Sequence, residues 1–307
     1  RPILENILDK NQKNGLMSRN NSVWNSPTLL VPKKDGSMRL VCDFRAVNQK
    51  IEPDHYMLPK INDLIVNLDK SHFFVQSDLA QGFHQVPITD RAREILTVGN
   101  EFGQYGWERM PMGVKSAPAY FQRQMDTVFS DLPKSKFLCY IDDLLSHGVD
   151  ELSCLSNWEM ALEKLKKANL RIAASKTCVG VRSVKFCGHE VSGGTLTISK
   201  DRVEAVNAIK RPVTKKMAQG LFGFFNYFRN FVPNFAFLAK PISDTFGSYH
   251  FKWTDEAQQA FEILKKLIVD RTLSLSIPDV HNDHFVVETD ASDTTMAACL
   301  FSCSRAK

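Results

Sequence analysis

Little in this sequence places the protein at a glance. No apolar run in its 307 residues reaches membrane-spanning length, and no signal-peptide pattern is visible near Arg1. Neither an internal repeat nor a low-complexity tract is present, which argues against solenoid and compositionally biased classes. The seven cysteines (Cys42, Cys139, Cys154, Cys178, Cys187, Cys299, Cys303) form no Cys-x-x-Cys pair. Their number is odd and most lie in apolar surroundings, so reduced, mostly buried thiols in an intracellular protein are expected. No Cys or His set around His281 and His284 has zinc spacing, and a solvated loop is expected there. Charge is nearly balanced: 39 Lys and Arg against 34 Asp and Glu leave +5, compatible with a nucleic-acid partner but no proof of one.

What is present is an ordinary globular composition, 43% hydrophobic and 24% charged, on a chain long enough for two or three domains. The ends look cut, as in a piece of a larger polyprotein. The chemistry centres on Phe137-Leu138-Cys139-Tyr140-Ile141-Asp142-Asp143-Leu144-Leu145. Two carboxylates between short apolar runs predict strand, two-residue turn, strand. Adjacent like charges repel and are costly to desolvate, a cost that a bound divalent cation reverses. Taken alone, the pair is equally well read as an exposed turn, since Asp favours turns.

Along the chain, a helix is expected over 3–10. Thr28-Leu29-Leu30-Val31-Pro32 and Met38-Arg39-Leu40-Val41-Cys42-Asp43-Phe44 form a hairpin through Asp35-Gly36. Lys33, Lys34 and Arg39 on this hairpin read as a solvated bend or as a basic flap that grips phosphates. A helix over 60–68 precedes a strand over 73–79 that carries Asp78 at its end. A second antiparallel pair is expected over 95–98 and 104–110, and a helix from the Ser116 N-cap to about Phe129. A helix over 151–168 places Leu152, Leu155, Trp158, Leu162 and Leu165 on its core face. Strands follow over 172–174 and 184–189, with a tight turn at Gly193-Gly194. Helices are expected over 201–210, 215–231 and 253–270, and strands over 284–290 and 296–301. If the strands bearing Asp78 and the Asp142-Asp143 pair are sheet neighbours, three carboxylates converge. Such a set can hold two divalent cations roughly 3.5–4 Å apart, the spacing used for in-line displacement at phosphorus.

The ordered motifs resemble the reverse transcriptase of gypsy-type LTR retrotransposons and related retroviruses. They are Ser26-Pro27; Val31-Pro32-Lys33-Lys34-Asp35-Gly36-Ser37-Met38-Arg39; Asp43-Phe44-Arg45-Ala46-Val47-Asn48; and Ser77-Asp78-Leu79-Ala80-Gln81-Gly82-Phe83-His84-Gln85. Then come Met110-Pro111-Met112-Gly113-Val114-Lys115-Ser116-Ala117-Pro118 with Phe121-Gln122; Tyr140-Ile141-Asp142-Asp143; Lys176; and Phe186-Cys187-Gly188-His189. Asn226-Tyr227-Phe228-Arg229-Asn230-Phe231 and Thr289-Asp290-Ala291-Ser292 complete the series.

The resemblance implies an α+β right-hand polymerase with an antiparallel palm sheet and the start of an RNase H-like domain. Fingers would span 1–53 and 86–116, palm 54–85 and 117–192, thumb 193–250, and the connection and truncated RNase H start 251–307. It implies an RNA- and DNA-dependent DNA polymerase that uses two Mg²⁺, or Mn²⁺, held by Asp78, Asp142, Asp143 and the Leu79 carbonyl. Lys33 or Lys34, with Lys33 preferred, and Arg39 would meet the triphosphate. Phe83 would exclude a ribose 2′-hydroxyl, Met112 would line the nucleotide pocket, and Lys176 would protonate pyrophosphate. Tyr140 and the grip Phe186, Cys187, Gly188 and His189 would hold the primer; Lys215, Lys216 and Arg229 would face the duplex backbone. Asp290 matches a first RNase H carboxylate, but the other acidic ligands do not follow, so no RNA cleavage is expected.

The implied partners are an RNA template, a DNA or tRNA primer, dNTPs and an RNA–DNA hybrid, with no membrane and with room for a homodimer. The implied location is the cytoplasm, inside virus-like particles, or the nucleus. Met112, Cys187 and the polar Ser146-His147 depart from the usual pattern. A domesticated fold that only binds nucleic acid is the rival reading, and intact Asp78, Asp142 and Asp143 argue against it. Phe83 argues against an RNA-dependent RNA polymerase.

Overall fold

The computed structural model describes residues 1–33, 36–247, 251–270, 274–277, 284–291 and 296–303. The fold is α+β, and its elements form two compact units. The first comprises Arg1–Lys60, Val75–His147 and Glu151–Gly180; the second comprises Ile61–Phe74, Gly148–Asp150 and Val181–Lys307.

In the first unit, a five-stranded sheet runs in the order Met17–Arg19, Gly103–Trp107, Val98–Asn100, Ser26–Pro32, Met38–Cys42. The expected flap hairpin is present, paired from Thr28↔Cys42 to Pro32↔Met38. Gly36 sits near the bend at φ +78, where glycine bears no Cβ penalty. Lys34 and Asp35 lie outside the described residues. The second expected pair is displaced. Ile95 closes a helix, Asp90–Ile95, because the Thr89 hydroxyl accepts from the Ala92 N–H and caps it; the strand begins only at Val98. That strand also pairs in parallel with Ser26–Pro32, so this sheet is mixed.

A four-stranded sheet, ordered Phe137–Tyr140, Asp143–Gly148, Phe73–Asp78, Cys178–Val181, carries the acidic motifs. Phe137, Leu138, Leu144 and Leu145 are buried, so its hairpin is core on both faces. The helices Ala117–Val128 and Glu151–Lys167 follow the expected spans closely. The second is rotated from the expected face. Cys154, Asn157, Trp158, Ala161 and Leu165 are buried, whereas Leu152 and Leu162 are exposed. Polar bonds fix this rotation: Ser146 Oγ donates to the Cys154 carbonyl at 3.0 Å, and Asn157 Nδ2 donates to the His147 carbonyl at 2.9 Å. The buried Ser146 and His147 are therefore paired polar groups rather than defects in the strand.

In the second unit, a sheet runs in the order Val184–Phe186, His189–Ser192, Thr195–Ile198, Ser274–Ser276. The single strand expected over 184–189 is in fact a hairpin. Cys187 and Gly188 turn with φ +48 and +83, leaving Phe186 opposite His189. Gly193-Gly194 makes the next turn as expected, with φ +50 and +75. Two successive positive φ values give the turn whose twist suits a two-residue hairpin.

Helices Lys200–Ala208, Lys215–Asn226, Phe235–Gly247 and Asp255–Val269 follow in this unit. Phe225, Phe228 and Phe231 are core residues. The Phe235–Gly247 helix, with Pro241 inside it, has no counterpart in the sequence reading; Phe235, Ala239 and Ile242 supply its buried face. His284–Ala291 and Met296–Cys303 pair antiparallel. Among the described residues no helix is long and apolar enough to cross a membrane.

Candidate active site

The register of the acidic hairpin pairs Tyr140 with Asp143 and Cys139 with Leu144. The turn is therefore Ile141-Asp142, and Asp143 is the first residue of the returning strand rather than part of the tip. Ile141 has φ +56, a region that a β-branched side chain rarely adopts. Gln122, fully buried in the Ala117–Val128 helix, holds it there. The Ile141 N–H donates to Gln122 Oε1 at 2.6 Å, while Gln122 Nε2 donates to Asp126 Oδ1 at 2.9 Å and to the Cys139 carbonyl at 3.3 Å. Sequence reasoning placed Gln122 within a motif but gave it no role.

Asp78 ends its strand beside this turn. The Leu79 N–H donates to the Asp142 carbonyl at 3.0 Å, and the Asp78 carbonyl accepts from the Ala173 N–H at 2.8 Å. These backbone bonds draw Asp78, Asp142, Asp143 and Lys176 into one cluster. Asp143 is pushed up to about 6, first by burial, then by the negative charges of Asp142 and Asp78 and a hydrogen bond with Asp78. Lys176 Nζ donates to Asp78 Oδ2 at 2.7 Å, and that carboxylate raises the lysine's pKa.

Among the described residues, no group of three His, Cys, Asp or Glu side chains is arranged as a ready metal cage. Asp78 is neutralised by Lys176 instead. The donor set nevertheless fits a hard divalent cation: three carboxylates, one of them raised first by burial and then by its acidic neighbours, carry a cost that such an ion would offset.

A cavity of about 330 Å³ is lined by Lys33, Arg39, Gln81, His84, Trp107 and Met112, among others. It joins the expected Lys33, Arg39 and Met112 with three residues that had no assigned role. Asn48 shapes its Met112-Gly113 edge, donating from Nδ2 to the Gly113 carbonyl and accepting from the Lys115 N–H, both at 2.8 Å. Phe83 is half-buried with its ring 5.1 Å from that of Phe121, outside this cavity's lining. Tyr140 is half-buried at the hairpin end.

The expected grip residues lie in the second unit. Phe186 and His189 are buried there, and only Cys187 and Gly188 at the turn are partly exposed. Lys216 and Arg229 are exposed and Lys215 half-buried. Asp290 lies in the His284–Ala291 strand, and its side chain is outside the described set. Of the cysteines, Cys42 and Cys154 are buried, but Cys178 is exposed, since it lies on the strand at the end of its sheet.

Residues 31–191 match the family model for reverse transcriptase (RNA-dependent DNA polymerase). The chain belongs to the reverse transcriptase family. It is 34% identical to the retrovirus-related Pol polyprotein from transposon 412 of Drosophila melanogaster, over 91% of this chain and 23% of that protein. It is 32% identical to the corresponding polyprotein from transposon 297 of the same species, over 97% of this chain and 28% of that protein. The transposon Tf2-3 polyprotein of Schizosaccharomyces pombe is 30% identical over 95% of this chain and 22% of its own length. This reverse transcriptase segment thus spans about a quarter of those polyproteins.

Among solved structures, a foamy viral protease-reverse transcriptase bound to double-stranded DNA is similar at TM-score 0.86 and 26% identity. That match covers 98% of this chain and 53% of that one. A foamy viral protease-reverse transcriptase bound to an RNA/DNA hybrid is similar at TM-score 0.82 and 26% identity, over 98% of this chain and 41% of that one.

Proposed function

We propose that this chain is the polymerising part of a retroelement Pol polyprotein. It would extend a primer 3′-hydroxyl with dNTPs on an RNA or DNA template. The observation that carries the reading is the convergence of Asp78, Asp142 and Asp143, with Asp143 held well above the usual carboxylate range. Asp78, Asp142, Asp143 and the Leu79 carbonyl would hold two divalent cations. When bound, those ions supply Lewis acidity at the 3′-hydroxyl and offset charge on the leaving pyrophosphate.

The chain's own groups do the rest. Lys33 and Arg39 line the cavity and would hold the triphosphate by charge and by a planar fork. Lys176, kept protonated by the carboxylate beside it, would give a proton from Nζ to pyrophosphate. Fingers, palm and thumb are assigned as the resemblance implies. The solved relatives' bound duplexes support a primer–template partner here.

Purified protein should incorporate dNTPs on a primed RNA template with Mg²⁺, and Asp142→Asn should not. Wild-type incorporation no higher than that of Asp142→Asn would leave a nucleic-acid-binding relic as the correct reading. The proposed exclusion of ribonucleotides by Phe83 gives a second expectation. Phe83→Ala should lower the preference for dNTP over rNTP by about tenfold or more, read as a ratio of kcat/KM values. Unchanged discrimination would make Phe83 a packing partner of Phe121 and nothing more.

A further inference from the structure

The turn at Cys187-Gly188 is held by a side-chain stack from the helices that follow it. Arg202, on the Lys200–Ala208 helix, lies so close to Gly188 that a Cβ there would collide with its guanidinium. What favours glycine here is its φ of +83, since the arginine end is flexible enough to give way to a Cβ. The guanidinium also lies over the ring of Tyr227, with the Arg202 Cζ 3.9 Å from the ring centroid.

Tyr227 is itself fixed. Its hydroxyl is hydrogen-bonded to His189 Nε2 at 2.9 Å, and the two rings stack at 5.2 Å. His189 stacks further on Phe231 at 6.1 Å. Burial, followed by the Arg202 cation, pushes His189 down to about 4, so its imidazole is neutral at physiological pH. Among the described residues no carboxylate pairs with Arg202, and it is only half-buried. A guanidinium thus lies over the Tyr227 ring beside the partly exposed Cys187-Gly188 turn, with no carboxylate paired to it among the described residues. That arrangement suits a phosphate diester, which guanidinium meets with paired donors.

We propose that Arg202 is a primer-phosphate contact, held against the Cys187-Gly188 backbone by the ring of Tyr227. The proposal rests on the polymerase reading, in which this turn touches the primer. His189 and Phe231 act through Tyr227 as positioning residues. A lysine at 202 would retain the charge but not the planar group over Tyr227 or the paired donors.

The test measures binding of a DNA primer–template duplex by fluorescence anisotropy across a salt series, alongside nucleotide incorporation. Arg202→Met should raise Kd about tenfold and reduce the slope of log Kd against log salt by about one. Arg202→Lys should keep the wild-type slope and recover part of the affinity. An Arg202→Met protein with wild-type Kd and slope would overturn the contact. So would equal losses in Met and Lys variants with the slope unchanged, because a residue that only shapes the turn leaves the count of displaced counterions alone. If the wild type incorporates no nucleotide, the polymerase reading falls and the primer contact falls with it. If the wild type incorporates normally, a null result at Arg202 removes the contact alone.

Discussion

Asp143→Asn is expected to abolish primer extension and, without divalent cations, to make the protein more stable at neutral pH. The two effects have one origin. Burial of Asp143, and then the charges of Asp142 and Asp78 that the backbone bonds at Leu79 and Ala173 bring close, raise its pKa from 3.8 to about 6. A carboxyl raised in the folded state binds more protons folded than unfolded between those values. Its contribution to stability is therefore full below about 4 and is lost as pH climbs through about 6.

The full shift corresponds to about 3 kcal/mol, but Asp143 is partly exposed and screened, so about 1 kcal/mol is expected. Asn carries no charge and avoids that penalty while still offering a hydrogen-bond donor to Asp78. In EDTA at pH 7.5, Asp143→Asn should melt about 2–4 °C above wild type, and the gap should close at pH 4.5. Mg²⁺ should raise the wild-type Tm and barely move that of the variant. Activity should fall on the order of 10³-fold, the scale of losing one preorganised electrostatic group. A variant less stable than wild type at pH 7.5 in EDTA would show that burial and the neighbouring carboxylates do not penalise the Asp143 charge in the folded protein.

The carboxylates were legible in the sequence because each breaks an apolar strand, and the flap was legible because Asp35-Gly36 specifies a hairpin locally. What escaped was set by distant partners. The turn at Ile141-Asp142 depends on Gln122 from another element, and local propensity gives no reason for isoleucine at φ +56. The buried face of Glu151–Lys167 was misread because its leucines also fall at helical spacing. Hydrogen bonds involving Ser146 and His147 on a neighbouring strand select Cys154, Asn157 and Ala161 instead. At 184–189 the turn had one sequence signal, Gly188 at φ +83, which a continuous strand overlooks, while Cys187 at φ +48 gives none. The basic cavity was only half legible. Lys33 and Arg39 declare a charge, but Gln81 and Asn48 acquire meaning only through the chain reversals they border.

Gln122→Met should cut incorporation about a hundredfold with little change in nucleotide KM. Gln122 bonds both the Ile141 N–H and the Cys139 carbonyl. A left-handed β-branched residue costs roughly 1–2 kcal/mol, and an N–H left without its partner roughly 1–3 kcal/mol more. Methionine fills similar volume without the acceptor, so the turn gains by rotating Ile141 out of positive φ. That rotation carries Asp142 with it and shifts Asp143 at the start of its strand. A displacement of about 1 Å at a reacting centre is enough for a loss of about 10²-fold.

The cause can be separated from general damage by adding Ile141→Gly to Gln122→Met. Glycine occupies φ +56 without penalty, so the double variant should recover part of the lost kcat even though the hydrogen bond is gone. Recovery would assign Gln122 to holding a strained turn. If the single variant turns over at the wild-type rate, the two acidic residues are placed by their strands alone and the buried glutamine only fills space. If the double variant is no better than the single, the loss comes from the missing acceptor itself rather than from relief of the left-handed isoleucine.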